Sequence, residues 1–124
     1  MTLSEATARL SERANGVVSG DDLRAMAREL YGRSTDRDVA RLIREAGFLR
    51  IATTEVGRTA LDPAYLALLR RDIRGAISLD GIDLQEGPDV VAVEDGAKRW
   101  HIAPQGAVMR LNHWLAEKMT VPAE

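Results

Sequence analysis

Cysteine is absent from the 124-residue chain, which excludes disulfides, thiolate metal ligands and cysteine nucleophiles. His101 and His113 remain as imidazole ligands, but no paired carboxylates lie near them in sequence, so we expect no zinc site and no cofactor. No stretch approaches the roughly 20 apolar residues of a membrane span, and residues 1–13 lack the apolar run of a signal peptide. We therefore expect a cytoplasmic protein without a membrane partner.

Linear signatures of catalysis are also missing. The chain has no phosphate-binding loop, no Gly-x-Ser-x-Gly elbow, no His-Glu-x-x-His pair and no dinucleotide fingerprint. We therefore expect a binding protein rather than an enzyme. Aromatic residues are few, and the two tryptophans, Trp100 and Trp114, are expected in the core rather than at an interface.

Charge is distributed unevenly along the chain, although its net value is only −2. Residues 1–75 hold 13 Arg against 11 acids, a net +2, whereas residues 76–124 hold 4 Lys and Arg against 8 acids, a net −4. Arginine favours two-pronged contacts with phosphate or guanine, and a GC-rich genome would also enrich it. The acidic stretch 76–97 would repel a polyanion, and it forms either a docking surface for a basic partner or turns whose charges favour solubility.

The N-terminal half predicts three helices. Residues 3–14 form the first, capped by Ser4, and residues 21–31 form the second, after a capping box of Ser19 and Asp22. Thr35 and Asp38 have the spacing of a capping box and begin the third. On a helical wheel, one face of this third helix carries guanidinium groups and the opposite face carries apolar residues: Arg37, Arg41 and Arg44 against Val39, Leu42, Ile43 and Ala46.

The remainder predicts strands between two further helices. Residues 48–53 and 58–61 read as the strands of a first hairpin, and Asp95-Gly96 marks a second, with strands near 89–94 and 98–103. We expect a weaker strand near 82–86, and helices over residues 62–77 and 105–119. The expected fold is α+β, with residues 1–61 and 62–124 as two parts of one compact unit.

The order helix, short strand, helix, turn, helix and two-stranded hairpin over residues 3–61 resembles the winged helix-turn-helix superfamily of DNA-binding domains. The C-terminal part would add an antiparallel hairpin and a helix to this winged helix-turn-helix. The resemblance covers about half of the chain and rests on element order rather than on a motif. It implies that the third helix enters the major groove and that the wing contacts the backbone or minor groove.

The resemblance implies a role for seven residues. Base reading would fall to Thr35, Asp36, Arg37 and Arg41, and phosphate contact to Arg44, Arg50 and Arg58. The alternative is that Arg37, Arg41 and Arg44 form a solvated helix face, paired with Asp36, Asp38 and Glu45.

The expected function is that of a DNA-binding transcriptional regulator, with double-stranded DNA as its partner. The apolar helices at 62–77 and 105–119 further predict a homodimer. The alternative function is a protein-interaction adaptor or inhibitor on the same scaffold, which the acidic net charge favours.

Overall fold

A computed structural model of the protein describes residues 1–69, 79 and 81–119. These residues form a mixed α+β fold around a five-stranded sheet. The helices are α1 (Leu3–Glu12), α2 (Gly20–Tyr31), α3 (Asp36–Glu45), α4 (Pro63–Leu69) and α5 (Val108–Met119). The strands are β1 (Val17–Ser19), β2 (Phe48–Glu55), β3 (Arg58–Leu61), β4 (Val91–Asp95) and β5 (Lys98–Pro104).

Side chains and glycines at the predicted boundaries account for the helix ends. The Ser19 hydroxyl accepts a hydrogen bond from the Asp22 amide at the start of α2, which is one half of the capping box predicted for these two residues, and Gly32 ends that helix with a φ of 78°. The predicted start of α1 at residue 3 is confirmed, but its predicted cap was wrong by two residues. Thr2, not Ser4, is the N-cap, because its hydroxyl and the carboxylate of Glu5 satisfy each other's backbone amides.

The order of strands in the sheet is β1-β4-β5-β2-β3, in which β1 is parallel to β4 and the other neighbours are antiparallel. The predicted hairpins are both present, as β2–β3 and β4–β5. The second hairpin, from the C-terminal half, lies between β1 and β2. Consequently β1 does not pair with the β2–β3 hairpin, and the winged helix-turn-helix arrangement of residues 3–61 stays a prediction.

Hydrophobic residues are buried on both faces of the sheet. On one face, α1, α2 and α3 cover Val91, Val93 and Ile102, and on the other, α4 and α5 cover Ile51 and Ala103. The apolar residues of α4 and α5 that suggest a dimer are therefore buried within one chain: Tyr65, Leu69, Leu111 and Leu115. The homodimer stays a prediction.

The prediction of a weak strand near residues 82–86 was wrong. Leu84–Glu86 forms a single 3₁₀ turn, and the backbone carbonyls of Gln85 and Gly87 accept hydrogen bonds of 2.8 Å from the Asn15 side chain. These carbonyls are thus bonded to a side chain rather than to a neighbouring strand. Residues 105–107 form another 3₁₀ turn before α5, and residues 70–77 of the expected fourth helix lie outside the described residues.

Candidate nucleic-acid interface

Helix α3 is positioned by its cap and by its apolar side. The Thr35 hydroxyl accepts from the Asp38 amide at 3.3 Å and the Thr35 amide donates to the Asp38 carboxylate at 3.1 Å, which completes the predicted capping box. The Thr35 hydroxyl also donates to that carboxylate at 2.6 Å. The hydrogen bond from Thr35 lowers the pKa of Asp38. Val39 and Leu42 are buried against the sheet. The Thr35 hydroxyl is therefore already hydrogen-bonded within the cap of α3.

Arg41 is held against α2 rather than left free in solvent. Its Nε donates to the Glu45 carboxylate at 3.1 Å, and its guanidinium carbon lies 4.2 Å from the centre of the Tyr31 ring. The Tyr31 hydroxyl donates to the same carboxylate at 2.7 Å, which lowers the pKa of Glu45. Burial and this hydrogen bond raise the pKa of Tyr31 to about 12. Arg41 is thus ion-paired with Glu45, as the alternative to DNA contact expects.

Arg37, Arg44 and Arg58 differ from Arg41. All three are exposed, and within the part of the chain that the structure describes, none has a hydrogen bond or a carboxylate within 4.0 Å. Arg37 and Arg44 project from α3, and Arg58 begins β3 opposite Glu55. These three guanidinium groups are available to an external anion.

Arg50 lies in the sheet and packs against an aromatic ring. A bulge in β2 between Arg50 and Ala52 interrupts its register with β5. The guanidinium carbon of Arg50 lies 3.7 Å from the centre of the Trp100 ring, a cation–π geometry. Burial lowers the pKa of Arg50, and the negative charges of Asp62 and Asp36 oppose that effect.

A groove of about 580 Å³ opens between α3 and the strands β2 and β5. We call it the α3–β5 groove. It brings together three of the predicted site residues, Asp36, Arg44 and Arg50, whereas Thr35, Arg37, Arg41 and Arg58 are not among its lining residues. The groove also contains residues that the sequence analysis did not assign to a site: Lys98, Trp100, Asp62 and Asp95.

The turns of the two hairpins lie side by side at one end of the sheet. Across the strands, Asp95 is opposite Lys98, Lys98 is opposite Glu55, and Glu55 is opposite Arg58, so that the charges alternate. Opposite charges in neighbouring strands stabilise a sheet modestly. At the tip of the β2–β3 turn, Val56 is 92% exposed and has a φ of 52°. Such a φ is strained for a β-branched residue.

No protein-family model, curated protein or solved structure matches the chain. Among the described residues, no helix has the length and apolar character needed to cross a membrane. In the same residues, no three His, Asp or Glu side chains lie together as a metal site would require. The features of the chain that bear on function are therefore α3, the hairpin turns and the α3–β5 groove.

Proposed function

We propose that the protein is a DNA-binding transcriptional regulator whose partner is double-stranded DNA. Arg37 and Arg44 of α3, with Arg58 of the β2–β3 hairpin, would contact the phosphates. The observation that carries this proposal is that these three exposed arginines have no carboxylate partner in residues 1–69, 79 and 81–119. Four other arginines are each ion-paired: Arg24, Arg41, Arg99 and Arg110. Other arginines of the described residues, such as Arg9, Arg13 and Arg33, are also without a carboxylate partner. Arg37, Arg44 and Arg58 are therefore distinguished by their place on α3 and on the hairpin that follows it.

The element order over residues 3–61 supports the same proposal. Helix α3 follows α2 after a short turn and precedes the β2–β3 hairpin, as in the winged helix-turn-helix superfamily. In that geometry a recognition helix enters the major groove while a hairpin contacts the backbone. Arg41 would have to leave Glu45 and Tyr31 before it could read a base, so we assign the primary contacts to Arg37 and Arg44.

A second candidate function is a protein-interaction adaptor or inhibitor, and the acidic residues of the α3–β5 groove favour it. Asp36, Asp62 and Asp95 line the groove beside Arg44 and Arg50. Carboxylates and arginines side by side suit a protein partner that presents both charges. The two candidates therefore differ in whether the exposed face of α3 binds a polyanion.

Fluorescence polarisation with labelled duplexes tests the proposal. The protein is titrated into a random duplex and into the DNA upstream of its own gene, each at two salt concentrations. Phosphate contacts make the affinity fall as salt rises, because bound counterions are released. Salt-sensitive binding that prefers the upstream duplex is the expected result. An absence of binding to either duplex at low salt would contradict the DNA proposal and favour the protein adaptor.

A further inference from the structure

A half-buried cation lies in the α3–β5 groove. Arg50 stacks on Trp100, and within the described part of the chain its guanidinium has no hydrogen-bond acceptor and no carboxylate within 4.0 Å. Nε of Arg50 and Nε1 of Trp100 are both buried without a hydrogen-bond acceptor. Withdrawing a charge from water without pairing it is unfavourable. A bound anion would recover part of that cost.

Two further cations line the groove near Arg50. Arg44 reaches it from α3, and Lys98 from β5, where its Nζ lies 5.8 Å from the centre of the Trp100 ring. Neither has an ion-pair partner among the residues that the structure describes. The groove thus presents three cationic side chains that no internal carboxylate pairs with directly.

The carboxylates of the groove do not balance these cations. Asp95 accepts two hydrogen bonds from Arg24, at 2.8 and 3.0 Å, and Asp62 accepts one from the Ala64 amide at 3.0 Å. Asp36 is the lining carboxylate that makes no hydrogen bond or ion pair with a described residue. Among the described residues, only Asp95 of these three carboxylates is ion-paired, with Arg24. The groove therefore presents three unpaired cations against two unpaired carboxylates, Asp36 and Asp62, and suits a ligand with net negative charge.

Size and apolar lining restrict the ligand further. A volume of about 580 Å³ falls in the range of pockets that hold small organic molecules, roughly 300–1,000 Å³. Ala40, Ile43, Phe48 and Leu49 contribute apolar surface beside the charged groups. We propose that the α3–β5 groove binds a small organic anion, a carboxylate or phosphate monoester carried on an apolar body, with Arg50 as its principal charge partner.

Tryptophan fluorescence tests this site directly. Trp114→Phe leaves Trp100, which lines the groove, as the one tryptophan of the chain. In this background the probes are benzoate and phenyl phosphate, with benzyl alcohol as the neutral comparison. We expect a saturable change in Trp100 fluorescence with benzoate, with phenyl phosphate or with both, and a much weaker response to benzyl alcohol.

Variants assign the charge partner. Arg50→Gln removes the guanidinium and is expected to weaken anion binding at least about tenfold, as loss of a charged hydrogen bond does. Arg110→Gln is the matched control, because Arg110 pairs with Asp89 and is not a lining residue of the groove. Circular dichroism verifies folding of each variant. If Arg50→Gln does not fold, the double variant Arg44→Gln/Lys98→Gln is expected to weaken binding instead.

Three outcomes would overturn the proposal. The first is the absence of a saturable response to either anion up to about 10 mM, a weak-binding limit. The second is equal binding of benzyl alcohol, and the third is unchanged affinity when the groove cations are removed. The proposal does not rest on DNA binding. Because no DNA is present in this experiment, its failure and that of the DNA proposal are distinguishable.

Discussion

Arg24 of α2 donates two hydrogen bonds to Asp95 of β4, from Nη1 to Oδ2 at 3.0 Å and from Nη2 to Oδ1 at 2.8 Å. This two-pronged ion pair joins the N-terminal helices to the hairpin that comes from the second half of the chain. The hydrogen bond from Arg24 lowers the pKa of Asp95. The backbone of α2 also approaches closely, since a Cβ at Gly20 would lie 2.7 Å from the Asp95 side chain.

Arg24→Ala is expected to lower the midpoint of thermal unfolding. It removes both hydrogen bonds to Asp95 and leaves a partly buried carboxylate without them. Arg110→Ala is the control, since it removes a more exposed pair to Asp89 made through one hydrogen bond. Differential scanning calorimetry measures both midpoints. A larger loss for Arg110→Ala would show that the Arg24–Asp95 pair does not join the two halves.

The hydrophobic residues buried between the sheet and helices α4 and α5 predict that the chain unfolds cooperatively. Leu111 of α5 is fully buried against β2 and β5, so Leu111→Ala should lower the free energy of unfolding by about 2–5 kcal/mol. Because β4 and β5 lie between β1 and β2, the whole sheet should unfold in one transition. Far-ultraviolet circular dichroism and tryptophan fluorescence should give the same denaturant midpoint. Two separated midpoints would mean that the halves unfold independently.

Backbone strain at Val56 predicts a stabilising substitution. A left-handed backbone costs a β-branched residue about 1–2 kcal/mol, whereas asparagine adopts it readily. Val56→Asn should therefore raise the free energy of unfolding by about 1 kcal/mol, since the exposed valine side chain makes little apolar contact. Val17→Asn in β1 is the control, because Val17 has no positive φ to relieve. A loss of stability in Val56→Asn would contradict the strain.

Stability should depend on pH through His101. Burial, with help from the positive charge of Arg99, lowers the pKa of His101 below its usual value of 6.5. Between that lowered pKa and 6.5 the unfolded chain binds more protons than the folded chain, so the free energy of unfolding falls as the pH drops through this window. The stabilising contribution of neutral His101 is fully present above pH 6.5.

Urea unfolding at about pH 7.5 and about pH 5.5 measures this dependence. His101→Gln should reduce the loss of stability between the two pH values. His113→Gln is the matched control, because His113 is an exposed residue of α5. An identical pH dependence in the wild type and His101→Gln would exclude His101 as its source.

Local signals in the sequence predicted much of the fold. The spacing of Thr35 and Asp38 indicated the start of α3, and Asp95-Gly96 indicated the β4–β5 hairpin. Asp95 pairs with Lys98, however, so the two turn residues are Gly96 and Ala97. Caps and two-residue turns are predictable because they depend on neighbours within a few residues. The place of that hairpin inside the sheet depends on contacts between distant residues. Pairing of β2 with β5 joins residues about 50 positions apart and has no comparable local signal.

The candidate site also combines features that local sequence patterns predict with features that depend on contacts between distant residues. The outward positions of Arg37 and Arg44 follow from the periodicity of one helix. The stacking of Arg50 on Trp100 requires the pairing of β2 with β5, which has no local signal in the sequence. The sequence therefore predicts a core position for Trp100 and does not indicate the α3–β5 groove. Trp100 is in fact partly buried and packs against the core while its ring faces Arg50.

Binding of duplex DNA by charge-removal variants tests the proposed function most directly. The variant Arg37→Ala/Arg44→Ala removes two unpaired arginines from α3, and Arg9→Ala/Arg13→Ala removes two exposed arginines from α1 and its C-cap. Fluorescence polarisation over a salt series gives the slope of log affinity against log salt. We predict that the α3 variant weakens binding and reduces this slope by about 2, and that the α1 variant changes neither. Equal effects of the two variants, or none from the α3 variant, would contradict the assignment of α3 as the DNA-contacting helix.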